Sequence, residues 1–173
     1  MSEPSSWLVQ HAGLLPRDGR ALDVASGRGR HALWLAERGF TTLALDRDPE
    51  AVRELNDAAR QNRLPLRAEV RDLESGDNPF SGSTYDVIVV VRYLHRPLFP
   101  YLIGALAPGG LLVYETFTRA QAARGKPTNA DFLLKSGELL DLVRPLELLA
   151  SREGDFDDRM IASVIARRPG SAA

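Results

Sequence analysis

The sequence predicts an alternating α/β domain built on an open, mainly parallel sheet with helices on both faces. Three observations carry this. Strand and helix signals alternate along most of the chain, as βαβ units require. The run Tyr85 to Val91 (YDVIVVV) is almost continuously apolar, the mark of a strand buried on both faces. The glycine-rich stretch Ser26-Gly27-Arg28-Gly29-Arg30 joins a strand signal to a helix signal, and sheets of this kind bind ligands outside the carboxyl ends of their strands.

Taken in order, a short helix is expected from Ser5 to Leu15, with Ser5 or Ser6 as its cap and Gly13 near its end. ALDVA (21–25) is the first strand. RHALWLAER (30–38) has apolar residues at 32, 33, 35 and 36, a helical period stopped by Gly39. TTLAL (41–45) is the second strand. A helix over about 50–61 follows, with Pro49 suited to its first turn. Leu66 to Val70 is the third strand, residues 74–84 are turn-formers, and Tyr85 to Val91 is the fourth strand. Pro97 to Leu106 reads as a helix stopped by Ala107-Pro108-Gly109-Gly110. LLVYET (111–116) is the next strand and 117–131 a polar loop. Gly137 to Val143 is a short helix. Leu146 to Arg152 and Met160 to Ala166 read as an antiparallel pair. Crossovers between parallel strands are right-handed, which restricts the topology.

Composition bounds the function. The chain has 173 residues, 44% hydrophobic and 26% charged, which suits one globular domain able to bury roughly two-thirds of its unfolded surface. Residues 1–18 are expected to cover the site and 168–173 to fray. No window is apolar enough for a membrane span, and MSEPSSWLVQ is no secretory signal, so a cytoplasmic location is expected. The absence of cysteine removes disulfides, thiolate metal sites and cysteine nucleophiles. With three histidines, no metal site is expected. A net charge of −1 provides no field to recruit nucleic acid or membrane, which leaves a small molecule as the expected partner of a monomer or homodimer. All basic residues but Lys126 and Lys135 are arginine, read first as compositional bias.

The strand ends carry the chemistry. After the first strand, Gly27 and Gly29 let the backbone turn tightly and approach a ligand, and the next helix points free N–H groups at the same place. Asp46 ends the second strand, 19 residues after Gly27. A carboxylate there accepts from both ribose hydroxyls or caps the next helix; Asp48 is better placed to cap. Asp72 ends the third strand, either as a turn aspartate or as an acceptor for an exocyclic amine such as adenine N6. Together these positions describe an adenosine site. Gly27-x-Gly29-x-x-Ala32 also fits a dinucleotide pattern. Asp23 argues against it, because a carboxylate facing the loop repels a pyrophosphate and attracts an ammonium or sulfonium. S-adenosylmethionine carries both cations and no phosphate.

The sequence resembles the class I S-adenosylmethionine-dependent methyltransferases. The resemblance lies in LDVASGRGRHALWLA (22–36), LALDRDPEAV (43–52), AEVRDLE (68–74), YDVIVVVRYLHRP (85–97) and LAPGGLLVYETF (106–117). FLLKSGELLDLV (132–143) is similar to the small bacterial methyltransferases of the tellurite-resistance type. It implies a Rossmann-like, doubly wound, mostly parallel seven-stranded sheet with an antiparallel C-terminal strand. It also implies that Asp23 lies near the methionine amino group with Ala25, Ser26, Gly27 and Gly29 around it, Asp46 on the ribose, Arg47 beside the adenine, and Asp72 with Leu73 at the adenine edge. S-adenosylhomocysteine is the implied product. The chain departs from the family pattern D-x-G-x-G-x-G at Ala25, where the extra methyl reduces clearance.

Arg92, Tyr93 and His95 follow the fourth strand and are the candidates to meet methyl group and substrate; an arginine there needs an anionic partner. Glu115 and Thr116 end the fifth strand and border the same region. Arg92, Arg96, Arg119, Arg124 and Lys126 form either a cationic rim for a small anionic or metalloid substrate or plain solvated surface. Two rival functions share these features: an S-adenosylmethionine-binding protein without catalysis, and an NAD(P)-dependent oxidoreductase.

Overall fold

The computed structural model describes residues 2–170. The chain opens with a five-residue helix, α1 (Ser6–Gln10), and a separate 3₁₀ turn (Ala12–Leu14). His11, at φ −103° and ψ 14°, ends α1, so the single helix expected over 5–15 is split. The first half then runs β1 (Gly19–Val24), α2 (Arg30–Glu37), β2 (Phe40–Asp46), α3 (Pro49–Gln61) and β3 (Leu66–Val70). α3 starts where the local chemistry directs. The Asp48 carboxylate accepts from the Glu50 N–H at 2.9 Å, and Pro49 occupies the first turn. Its apolar positions Ala51, Val52, Leu55 and Ala59 form one buried stripe.

The second half is β4 (Tyr85–Val91), a 3₁₀ turn (Arg96–Leu98) leading into α4 (Phe99–Ala105), β5 (Leu106–Phe117), α5 (Glu138–Leu142), β6 (Glu147–Phe156) and β7 (Arg159–Arg167). The strands form one sheet in the order β3-β2-β1-β4-β5-β7-β6. Strands β1 to β5 pair in parallel, whereas β7 runs antiparallel to both β5 and β6. The winding reverses between β1 and β4, so the carboxyl ends of these two strands flank the crevice where such sheets bind ligands.

β5 begins five residues earlier than the sequence suggests. Tyr85 pairs with Leu106 and Val87 with Leu111, so Ala107 to Gly110 bulge out of the ladder. Gly109 stands at φ +78°, and a side chain at Gly110 would meet the Tyr85 carbonyl at 2.8 Å. Pro-Gly-Gly is thus a bulge within a strand, not a stop before one. Arg168, expected to fray, fastens it: backbone bonds join Gly109 N–H to the Arg168 carbonyl (2.9 Å) and Arg168 N–H to the Gly110 carbonyl (2.8 Å). Its guanidinium donates to the Leu106 carbonyl at 2.5 Å. The remainder of the expected frayed tail, 171–173, lies outside the described residues.

Strand alternation splits the core into two layers. Leu22, Val24, Ile88, Val90, Leu112 and Tyr114 face α4 and α5. Ala21, Val87, Val89, Leu111 and Val113 face α1 and α2, through Trp7, Leu8, Trp34 and Leu35. α3 closes the end of that second face over Ala44 and Ala68. Each large aliphatic or aromatic side chain so buried contributes about 1.5–3 kcal/mol. Among the described residues, no helix is long and apolar enough to cross a membrane.

Candidate active site

A cavity of about 420 Å³ opens at the carboxyl ends of the strands. Of the residues singled out in the sequence, Ala25, Asp46, Arg47, Asp72, Leu73 and Arg92 line it, as do Tyr93 and Thr116. The lining is completed by Leu94, next to Tyr93, and by Arg71, Glu74, Phe117, Pro127 and Phe132, which were not singled out as residues, although the loop 117–131 is the segment expected to cover the site. The last two arrive from the loop after β5 and the residue just beyond it, and no local pattern picks out these two positions within it.

The glycine turn is built from three left-handed residues, Ala25 (φ 54°), Gly27 (φ 54°) and Gly29 (φ 79°). A side chain at Gly29 would stand 2.4 Å from Leu55, so this glycine lets α2 pack on α3. At Gly27 the space is open, with nothing within 4 Å of a built side chain. Its N–H donates to Asp46 Oδ2 at 2.7 Å, and Asp46 Oδ1 accepts from the Asp48 N–H at 3.0 Å. Asp46 is therefore locked against the turn while still facing the cavity. Asp72 is held likewise, accepting from the Glu74 N–H at 2.9 Å.

Asp23 lies behind this wall. It is 1% exposed, and its Oδ2 accepts from the Ala32 N–H at 3.0 Å in the first turn of α2. Burial raises its pKa from 3.8 to about 7, against the opposing pull of that hydrogen bond and of Arg30. Beside it, the buried Ser26 hydroxyl has no hydrogen-bond partner. Asp23, Ser26, Gly27 and Gly29 support the cavity wall and do not themselves line the cavity.

On the other side, Arg92 takes a left-handed conformation (φ 58°), fixed by its N–H donating to the Glu115 carbonyl at 2.8 Å. Burial, then Arg30 and Arg159, lower its pKa. The same forces act on Arg30, where Arg159 is the leading charge. Arg30 and Arg159 thus act on Arg92 from outside the cavity lining, and of the residues the sequence grouped with Arg92, namely Arg96, Arg119, Arg124 and Lys126, none lines the cavity. Arg96 is instead a strut, donating to Glu138 Oε1 at 2.5 Å and to the carbonyls of Asp131 and Leu133. Arg124 pairs with Asp155 at 2.7 Å.

The Tyr93 hydroxyl donates to Glu74 Oε1 at 3.1 Å, and burial, reinforced by Glu74, raises its pKa. It is a poor proton acceptor. His95 is not on the cavity wall; it precedes the 3₁₀ turn, its carbonyl accepting from the Leu98 N–H at 3.0 Å. Glu115 is engaged in packing. Its carboxylate accepts from the Ser5 hydroxyl (2.9 Å), the Ser163 hydroxyl (2.6 Å) and Arg152 (3.2 Å). His31 Nε2 accepts from the Ser5 N–H at 3.1 Å. Burial, then Arg30 and Arg92, push its pKa down to about 3, so the ring stays neutral. The segment leading into α1 is thereby pinned to α2 and β5, and none of residues 2–18, expected to cover the site, lines the cavity.

An open α/β sheet with a glycine turn after β1 and acids at the ends of β2 and β3 places the chain in the doubly wound class, whose ligands bind at this crevice. Residues 21–110 match the methyltransferase domain family model, and the chain belongs to that family. It is 29% identical over 171 residues to Hemagglutinin 1 of Eikenella corrodens, an alignment covering 87% of this chain and 55% of that protein. It is 34% identical over 127 residues to the ribosomal protein L11 methyltransferase of Bordetella parapertussis, covering 70% and 39%. The chain thus spans about half the length of the curated relatives it matches, or less. In fold it is similar to TehB from Haemophilus influenzae, with a TM-score of 0.82 and 19% identity over 97% of this chain and 63% of that one. An S-adenosylmethionine-dependent methyltransferase from Mesorhizobium loti gives 0.74 and 19%, over 95% and 98%.

Proposed function

We propose that the protein transfers a methyl group from S-adenosylmethionine directly, in line, to a small-molecule substrate carrying negative charge, and releases S-adenosylhomocysteine. The observation that carries the reading is Asp23, a carboxylate buried without an ion-pair partner among the described residues, behind a cavity whose wall presents Asp46 and Asp72. Desolvation disfavours its charge until a cation arrives. The unpartnered Ser26 hydroxyl is a second group that a ligand here would satisfy.

When bound, S-adenosylmethionine supplies an electrophilic methyl group on a cationic sulfur. In this reading Asp23, from behind the wall beside Ser26, is the counter-charge for the amino-acid end, and Asp46, on the wall, takes the ribose hydroxyls. Asp72 and Leu73 meet the adenine edge, with Arg47 beside it. Arg92, aided by the nearby Arg30 and Arg159, orients the substrate. Tyr93, with its hydroxyl engaged by Glu74, forms wall. His95, off the wall, has no contact that supports a role in proton transfer. Positioning and exclusion of water can supply most of the rate of such a transfer, so no dedicated base is required. A single cytoplasmic domain, as a monomer or homodimer, belongs to the same proposal.

Titration calorimetry tests it. S-adenosylhomocysteine should bind one to one, NAD should give no heat, and Asp46→Ala should weaken binding about tenfold or more, the value of one or two lost charge-assisted hydrogen bonds. Binding of NAD in place of S-adenosylhomocysteine would overturn the reading.

A further inference from the structure

We propose that the methyl acceptor is a small organic anion with a flat apolar body, its charge seated on Arg92 and its body against Phe117, Pro127 and Phe132. This rests on the methyltransferase reading, and it separates the substrate from a bare inorganic oxyanion or a neutral metabolite.

Two independent observations lead to it. The first is charge left without a partner. Arg96, Arg124 and Arg152 each pair with a carboxylate. Among the described residues Arg92, Arg30 and Arg159 form no ion pair; the charges of Arg30 and Arg159 disfavour that of Arg92, and the more weakly felt carboxylates of Glu115 and Asp157 do not offset them. Arg30 spends one N–H on the Glu3 carbonyl at 3.0 Å, a neutral acceptor. Crowded, partly desolvated guanidinium groups call for an anion, and the planar fork of Arg92 suits a carboxylate. Its backbone supports the assignment: a non-glycine residue held at φ 58° at the end of β4 turns toward the crevice at a cost in strain.

The second observation is apolar surface at the mouth. Phe132 is 53% exposed and lines the cavity with Phe117 and Pro127. Aromatic area left in water beside a cavity is what a flat apolar ligand covers. The acids and Arg47 lie on the side of the cavity formed by the ends of β2 and β3, whereas Arg92, Phe117, Pro127 and Phe132 lie on the side formed by β4, β5 and the following loop. An inorganic oxyanion would satisfy Arg92 and leave that wall wet; a neutral aromatic would do the reverse.

The test uses the full chain saturated with S-adenosylhomocysteine and three probes in titration calorimetry. They are trans-cinnamate, cinnamyl alcohol (same body, no charge) and acetate (charge, no such body). Cinnamate should bind at least about tenfold tighter than either of the others, the size of one charge-assisted contact or one buried ring. Arg92→Asn keeps a side chain that tolerates the left-handed backbone. It should weaken cinnamate about tenfold and leave cinnamyl alcohol unchanged. Phe132→Ala should weaken cinnamate several-fold and leave acetate unchanged. Acetate or cinnamyl alcohol binding as tightly as cinnamate, or cinnamate failing to bind the loaded protein, overturns the inference. The three-probe comparison on the unaltered chain decides this even where a variant folds poorly. Failure of the protein to bind S-adenosylhomocysteine in the first place would instead sink the methyltransferase reading.

Discussion

Asp23 has one hydrogen bond, no ion-pair partner among the described residues and a folded-state pKa near 7. Its carboxyl therefore binds more protons folded than unfolded between about pH 4 and 7. Stability of the ligand-free protein contributed by this group is greatest below that window, falls as pH rises through it and levels off above 7. Asp23→Asn preserves an acceptor for the Ala32 N–H and removes the titration. Urea unfolding at pH 5, 6 and 8 should show the variant gaining on the parent as pH rises, reaching on the order of a few kcal/mol at pH 8. The same variant should bind S-adenosylhomocysteine more weakly at pH 8, since a cationic amino group there loses its counter-charge. A parent–variant difference that does not change with pH would rule out the assignment. The His31 ring, whose pKa is pushed from 6.5 down to about 3 on folding, adds a pH dependence of the opposite sign, but it is common to parent and variant and cancels in their difference. Ala25 teaches a related lesson. Its methyl group was readable in the sequence as lost clearance in the glycine turn. Its left-handed backbone, which costs a non-glycine residue about 1–2 kcal/mol, becomes visible only with φ at 54°.

Elements were legible where one periodicity ran undisturbed. YDVIVVV, the stripe of α3 and the Asp48-Pro49 start each carry a local signal that tertiary packing does not overrule. The acids at the ends of β2 and β3 were legible for the same reason, because a strand end is a local feature. Legibility stopped where a distant segment decides the outcome. Pro-Gly-Gly reads as a stop, yet Arg168 holds it as a bulge inside β5. Phe132 and Pro127 reach the cavity only through the fold of a polar loop. Glu115 reads as a site residue but is the knot joining the start of α1 to β5, β6 and β7, through Ser5, Arg152 and Ser163. Both partners of its ion pair are largely buried, with side chains 13% and 10% exposed for Arg152 and Glu115. Arg152 also lies over the rings of Trp7 (4.9 Å) and Phe156 (4.3 Å). Removing the cation leaves a buried carboxylate with hydroxyl partners alone. Arg152→Ala should cost about 3 kcal/mol in urea unfolding, and it should release the N-terminal segment to rapid amide exchange before the sheet opens. Unchanged protection at Ser5 and Trp7 would show that the knot does not hold α1.

At the scale of the whole molecule, the glycine turn and the three acids all precede residue 73, yet the sheet that positions them is completed from the other end of the chain. β7 inserts between β5 and β6, and its side chains enter both layers: Ala162, Val164 and Ala166 on one face, Ile165 on the other. α5 adds Leu139 to the first layer, and Val143 after it packs there too. The burial of Leu139, Val143, Val164 and Ile165 contributes about 1.5–3 kcal/mol each, a sum comparable with the entire net stability of a domain, about 5–15 kcal/mol. Without β7, Leu112 and Tyr114 lose their neighbours, Glu115 loses Arg152 and Ser163, and the bulge loses Arg168. A chain ending at Gly137 should therefore show no cooperative urea transition and bind no S-adenosylhomocysteine, although every acid assigned to the cofactor is present. Cooperative unfolding and ligand binding by that fragment would mean that the C-terminal hairpin is an appendage. The registers of β5 with β7 and β7 with β6, nearly continuous over seven and nine residue pairs, argue that it is the closing part of the sheet.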